Sequence, residues 1–244
     1  GILPENSKTK GSIKYYNDEL NEKYLRKVRG KDIAFIPQSV DFLDPLMKVG
    51  KQVVGINGNK ERQKEVFKKY NLDDKVAEMY PFQLSGGMAR RVLIATAVMN
   101  EAKLIIADEP TPGLNLELAM ETLNNFREIA DSGCGVLLIT HDVDLALNVA
   151  DRIAVFYSGT IVEIAQVEDF IKGKDALRHP YSKAFIDALP QNKFKELPGY
   201  QPYAGNLPKG CLFRDRCSLK TDECCMEIKM RKVRDGEVRC INAT

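Results

Sequence analysis

With 244 residues the chain can bury a sizeable core and still carry one or two smaller units, so a single compact domain is not assumed. Lys and Arg number 36 against 34 Asp and Glu, and a net charge of +2 gives no strong field for nucleic acid or an anionic membrane, so nucleic acid is not expected as a partner. The longest apolar runs, such as 104–107 and 135–139, are too short to cross a bilayer, and the start lacks a signal pattern. A soluble, cytosolic chain is expected, with any membrane association made through a protein partner.

In chain order, residues 11–16 and 32–37 (DIAFIP) read as extended pieces separated by a charged run over 19–31. Residues 51–79 turn to Lys, Glu, Gln and Asn, with apolar residues at roughly helical spacing (Val53, Val54, Val66, Phe67, Tyr70, Leu72, Val76, Met79), which predicts an inserted helical unit. A helix is then predicted over 88–100, a strand over 104–107, a helix over 116–131, a strand over 135–140, a helix over 143–150 and a strand over 152–157. Strands alternating with helices predict an α/β fold with a mainly parallel sheet. After Gly173 the chain becomes proline-rich and irregular and then cysteine-rich. The domains expected are therefore a partial core over 1–50, a helical subdomain over 51–87, the rest of the core over 88–172 and a C-terminal extension over 173–244.

Four features along this frame suit phosphate chemistry. The strand 104–107 ends in Asp108 and Glu109, and a parallel strand delivers its last residues to the carboxyl edge of the sheet, where open α/β folds bind ligands. There Asp108 suits Mg²⁺, and Glu109 suits the polarising of an attacking water. Ser85, Gly86 and Gly87 precede a helix, where glycines let backbone amides approach an anion. His141 follows the strand over 135–140 and is placed to contact a γ-phosphate, and Gln38, closing the DIAFIP strand, can bring a carboxamide to the metal or water. Taken singly, each has an ordinary explanation as a solvated strand end, a capping turn or a helix-capping histidine. Their order, Gln, Ser-Gly-Gly, Asp-Glu, His, makes coincidence improbable.

Together these residues resemble the Q-loop, signature, Walker B and switch-histidine motifs of ABC-transporter ATPases, over nearly the whole chain. The resemblance implies a P-loop NTPase-like fold and ATP hydrolysis with Mg²⁺ between two subunits. Gln38, Asp108, Glu109 and His141 would serve the chain's own nucleotide, and Ser85, Gly86 and Gly87 that of a second ABC ATPase subunit, the same or paralogous. Residues 42–50 would lie near a transmembrane permease, placing the chain on the cytoplasmic face of the membrane. Two positions depart from the pattern: Met88 stands where the signature usually has Gln, and Asn115 where the loop after Walker B usually has Asp.

No match to G-x-x-x-x-G-K-[ST] occurs anywhere in the sequence. The only Gly-Lys pairs, at 30–31, 50–51 and 173–174, are followed by Asp32, Gln52 and Asp175. Without the loop's amides and lysine, ATP binding should fail and the chain should be inactive alone. In the resembling family the loop and its helix lie just before a segment like Gly1-Ile2-Leu3-Pro4, so an N-terminally incomplete fold is expected; the competing expectation is a naturally loop-less subunit that lends its signature face to an intact partner.

His179-Pro180-Tyr181-Ser182-Lys183 and Leu207-Pro208-Lys209-Gly210-Cys211 resemble the C-terminal extension of oligopeptide, dipeptide and nickel importer ATPases, which implies peptide or nickel as cargo. Five of six cysteines fall in the last 34 residues. Cys211, Cys217, Cys224 and Cys240 are spaced C-x5-C-x6-C-x15-C, which suits one four-thiolate centre. Zinc more often takes tight C-x2-C pairs, so the spacing and the resemblance favour a [4Fe-4S] cluster, with zinc and unligated or oxidised thiols left open. Cys225 is an alternative ligand, and Cys134 reads as a small core residue.

Overall fold

The computed structural model describes residues 6–55 and 58–243; Gly1-Ile2-Leu3-Pro4 therefore lies outside the described residues. Two compact units divide between Leu145 and Ala146.

The first unit opens with a short antiparallel ribbon, β1 (Lys14–Tyr15) and β2 (Asp18–Glu19). The charged run after it is more than a separator, because seven of its residues form α1 (Glu22–Val28). Local devices make that helix: Asn21 accepts the Tyr24 amide, Glu22 pairs with Arg26 one turn on, and basic residues occupy the last turn. β3 (Ile33–Ile36) follows. The inserted helical unit consists of α2 (Val49–Val54), α3 (Lys60–Lys69) and two turns of 3-10 helix at Asp74–Glu78 and Pro81–Gln83. It closes on Val53, Val66, Phe67, Tyr70, Leu72 and Val76, which are buried, while Val54 and Met79 of the same pattern stay half-buried.

Next come α4 (Gly86–Val98), β4 (Leu104–Asp108), α5 (Leu116–Asp131) and β5 (Gly135–Ile139), and α6 (Val143–Val149) runs across the division into the second unit. β3, β4 and β5 pair in parallel in that order, with Phe35, Ile106 and Leu137 in one row and Ile36 beside Ala107. Alternation sorts the side chains. Ala34, Ile36, Ile105 and Ala107 are buried, whereas Phe35, Leu137 and Ile139, of the other parity, stay exposed.

The second unit contains β6 (Arg152–Tyr157), β7 (Thr160–Gln166), α7 (Val167–Ile171), α8 (Pro180–Ala188), β8 (Arg231–Val233) and β9 (Gly236–Val238). The strand expected at 152–157 forms, but it lies in an antiparallel sheet of order β6-β7-β9-β8 and outside the parallel one. The cause is local: only Ser158 and Gly159 separate β6 from β7, both at positive φ (49° and 80°), a two-residue hairpin turn, whereas a parallel partner needs a crossover of a dozen or so residues.

The irregular C-terminal segment is woven into this sheet, since Val238 and Glu237 of β9 lie beside Glu163 and Ile164 of β7. A buried polar knot sets the join. Glu163 accepts the backbone amides of Arg178 and His179, each at 2.8 Å, while the Arg178 guanidinium reaches Asp169 Oδ2 at 2.8 Å and donates to the Val233 carbonyl at 2.6 Å. With Glu163 and Arg178 fully buried, removing either partner would strand a charge in the core.

Candidate nucleotide site

The parallel register brings the three strand ends to one edge. Ile36 lies beside Ala107 and Asp108 beside Ile139, so Gln38, Asp108, Glu109 and His141 all emerge at the carboxyl edge of the β3-β4-β5 sheet. Gln38 is exposed there, and Asp108 and Glu109 are half-buried.

Glu109 is placed with unusual firmness. Its backbone takes a left-handed φ of 47°, and its amide donates to the Ile139 carbonyl at 2.9 Å. His141 Nδ1 donates to Glu109 Oε1 at 2.7 Å, joining the ends of two adjacent strands. The pair is lopsided, with the His141 side chain 80% exposed and that of Glu109 only 16%. Hydrogen bonding to Glu109, then its charge, raises the His141 pKa above the ordinary histidine value, and Asp142 adds to this.

Ser85 serves as the N-cap of α4, its Oγ accepting the Met88 amide at 3.3 Å. That capping leaves Ser85 and Gly86 exposed, and a Cβ built at Gly86 would meet open space. The glycines are therefore held at a bare helix start where backbone amides face outward. Asn115 caps α5 in the same way, accepting the Leu118 amide at 2.9 Å, a bond that needs an oxygen acceptor and no charge.

Two arginines that the motif reading passes over fasten α4 to its surroundings. Arg91 donates to the carbonyls of Tyr70 (3.2 Å), Asn71 (2.7 Å) and Gly87 (3.2 Å), tying the signature glycines to the end of α3. Arg90 is buried and donates to the Pro37 carbonyl at 3.1 Å, next to Gln38. Its signal in the sequence is a charge at position 90, in helical register with the apolar Leu93, Ile94 and Ala97.

The four candidate metal-binding cysteines lie in the second unit, apart from this site in the chain. Cys211 and Cys217 are half-buried and Cys224 and Cys240 buried, all as free thiols, and Cys225 beside them is exposed. Among the described residues no group of three or more His, Cys, Asp or Glu side chains is arranged to hold a metal ion. The thiols are near enough to interact: burial and then neighbouring cysteines raise the pKa of Cys211 and of Cys240, each opposed by a backbone amide on the sulfur. Cys134, read as a core residue, is half-buried and lines a surface cavity of about 510 Å³ with Tyr70, Lys103 and Ile105. No helix among the described residues is long and apolar enough to cross a membrane.

The sequence model of the ABC transporter family matches residues 2–112, and that of the oligopeptide/dipeptide transporter C-terminal region matches residues 162–224. Over 98% of this chain and 80% of the relative, it is 30% identical to the oligopeptide transport ATP-binding protein OppD of Haemophilus influenzae. It is 32% identical to the dipeptide transport ATP-binding protein DppD of the same organism, over 94% of this chain and 75% of the relative. A solved dimeric structure of MJ0796, a bacterial ABC transporter cassette, superimposes with a TM-score of 0.59 at 28% identity, covering 65% of this chain and 74% of that one. The chain belongs to the ATP-binding proteins of ABC transporters, within the oligopeptide/dipeptide group, an ATPase family whose complete members couple ATP hydrolysis to transport.

Proposed function

We propose that this chain is the ATP-hydrolysing part of a peptide importer, working with a second ABC ATPase subunit on the cytoplasmic face of a membrane permease. The observation that carries the reading is the Glu109–His141 hydrogen bond at the same sheet edge as Asp108 and Gln38. In it Glu109 takes the proton of the attacking water, His141 contacts the γ-phosphate, and Ser85, Gly86 and Gly87 present amides to the partner's nucleotide. Asp108 and Gln38 are the oxygen donors suited to Mg²⁺, which supplies charge neutralisation on the phosphates when bound. Peptide is proposed over nickel as cargo because the relatives are named for oligopeptides and dipeptides.

Support for the permease contact is the exposure of large apolar side chains after the Q-loop and on the approach to the signature: Phe42, Leu46, Met47 and, stacked on Tyr80, Phe82. The sequence contains no G-x-x-x-x-G-K-[ST] match, so on this reading the β- and γ-phosphates are gripped by groups outside the motifs named here. The exposed row of Phe35, Leu137 and Ile139 is in keeping with a further element on the sheet, since parallel sheets are ordinarily covered on both faces.

The test is ATP hydrolysis by the chain alone and by the chain joined to the phosphate-loop segment of the OppD relative. Turnover is expected only in the joined protein and only with Glu109 intact. Its absence there refutes the enzymatic reading and supports the second one, a non-catalytic subunit lending its signature face to an intact partner, which the missing loop favours.

For Cys211, Cys217, Cys224 and Cys240 we propose a [4Fe-4S] cluster. The donors are of the right kind, four thiols that influence one another within one unit, with backbone amides of Phe213, Leu219 and Asn242 on Cys211, Cys217 and Cys240, although as described they are not drawn together around a metal ion. A bound cluster ties four chain positions together and can accept an electron. Iron and sulfide analysis of anaerobically prepared protein is expected to show both; zinc in their place refutes the assignment.

A further inference from the structure

The cavity of about 510 Å³ that Cys134 lines is bounded by α3, the ends of α4 and α5 and the starts of β4 and β5, all within the first unit. Lys103 and Cys134 immediately precede β4 and β5, so the cavity lies at the amino edge of the parallel sheet, away from Asp108 and Glu109. Its size is that of pockets for small organic molecules, about 300–1,000 Å³. Val66 and Ile105, buried, and Val98 and Ile129, half-buried, give it an apolar lining. Tyr70 lines it too and is only 3% exposed, yet its hydroxyl is buried with no hydrogen-bond partner among the described residues. Burial pushes the phenol well above its ordinary pKa, so it stays a donor at neutral pH. A buried donor without an acceptor calls for a cause. The charges around the cavity divide into two kinds. Arg62 pairs with Glu65 at 3.1 Å and Lys69 with Glu128 at 2.8 Å. Glu101 and Lys103, two residues apart and both exposed, enter no ion pair among the described residues.

We propose that this cavity binds a short zwitterionic peptide with apolar side chains, of dipeptide size. The apolar lining takes a side chain, the Tyr70 hydroxyl donates to the peptide carbonyl, and Lys103 and Glu101 supply the charges that match a terminal carboxylate and a terminal ammonium. One uncommitted charge of each sign is what selects this class. A simple organic anion would meet Lys103 but be opposed by Glu101, a simple cation the reverse, and a neutral hydrocarbon would leave the phenol without its acceptor. The cavity is separate from the nucleotide edge, so a cavity that takes no peptide leaves the ATPase reading as it stands.

Titration calorimetry of the 244-residue protein with leucyl-leucine tests this. Saturable binding is expected, weakened about tenfold in Tyr70→Phe by the loss of one hydrogen bond. That variant removes an oxygen that bonds to nothing else, so it should fold as the wild type does. Lys103→Gln and Glu101→Gln should each weaken binding about two- to fivefold, as exposed charge pairs do. N-acetyl-leucyl-leucine amide, which carries neither charge, should bind more weakly than leucyl-leucine by the two effects together. The place of binding is read from alkylation by N-ethylmaleimide, mapped by peptide mass spectrometry. Saturating leucyl-leucine should slow the reaction of Cys134 at least about threefold and leave that of Cys225, exposed in the second unit, unchanged. Absence of saturable binding, equal affinity in the wild type and Tyr70→Phe, equal affinity for the capped peptide, or binding that leaves Cys134 as reactive as before would each overturn the proposal.

Discussion

Between pH 7 and pH 4 the unfolded chain takes a proton on His179 that the native protein refuses. His179 is buried at the start of α8, where Nδ1 accepts the Tyr181 amide at 3.0 Å, which requires that nitrogen to be unprotonated. Its ring lies 6.0 Å from that of Phe213, and Nε2 has no hydrogen-bond partner among the described residues. Burial lowers its pKa from 6.5 to about 4. Because the folded value is depressed, the neutral histidine's contribution is fully present above the unfolded value near 6.5 and is lost as the pH falls toward 4. At roughly 1.4 kcal/mol per pH unit the loss comes to about 3 kcal/mol, a large share of a domain's stability. Hydrogen exchange of the α8 peptide under urea, at pH near 7 and near 4, measures it against His179→Asn, which keeps a capping acceptor but cannot titrate. The wild type should lose about 3 kcal/mol more than the variant over that window. Equal losses in the two proteins would refute the reasoning.

Gly210→Ala should destabilise the second unit by about 2 kcal/mol or more, because its Cβ would lie 2.2 Å from the Cys224 carbonyl oxygen at a φ of +78°. An unchanged urea midpoint would count against that packing. Asn115→Ala should cost about 1 kcal/mol through loss of the α5 cap, while Asn115→Asp should stay within a few tenths, since either side chain accepts the Leu118 amide. Thermal melts of the two variants give the comparison.

The first unit was legible because its signals are local and strongly patterned. Helix 116–131 and strand 135–139 fall where apolar spacing puts them, and parallel pairing then carries Gln38, Asp108, Glu109 and His141 to one edge without further assumption. α1 was not legible, because its stabilisation comes from a cap and an i,i+4 ion pair in a run with few apolar residues, so no periodicity announces it. The antiparallel placement of β6 had a signal in Ser158-Gly159, a hairpin dipeptide, outweighed by the preceding alternation of strand and helix. The β7–β9 pairing joins residues some seventy positions apart through Glu163 and Arg178, and nothing local in the sequence specifies such a contact. Arg90 falls between these cases: a charge in an apolar helical register is visible, but its partner Pro37 is known only once α4 is packed.

The tautomer of His141 decides what it can do for a phosphate. With Nδ1–H donated to Glu109, a neutral ring offers only a lone pair at Nε2, which repels phosphate oxygens; donation to both requires the imidazolium. Glu109 raises the His141 pKa, so it brings that doubly donating form closer to neutral pH while keeping the ring aimed along the sheet edge. The raised value fixes the sign. The imidazolium is present below the folded pKa and disappears as the pH climbs through it, so hydrolysis by the completed protein should fall on the alkaline side with the midpoint that NMR assigns to His141. A rate that stays level across that midpoint would mean that His141 acts as a neutral acceptor, and its bond to Glu109 would then serve only to hold the two strand ends together.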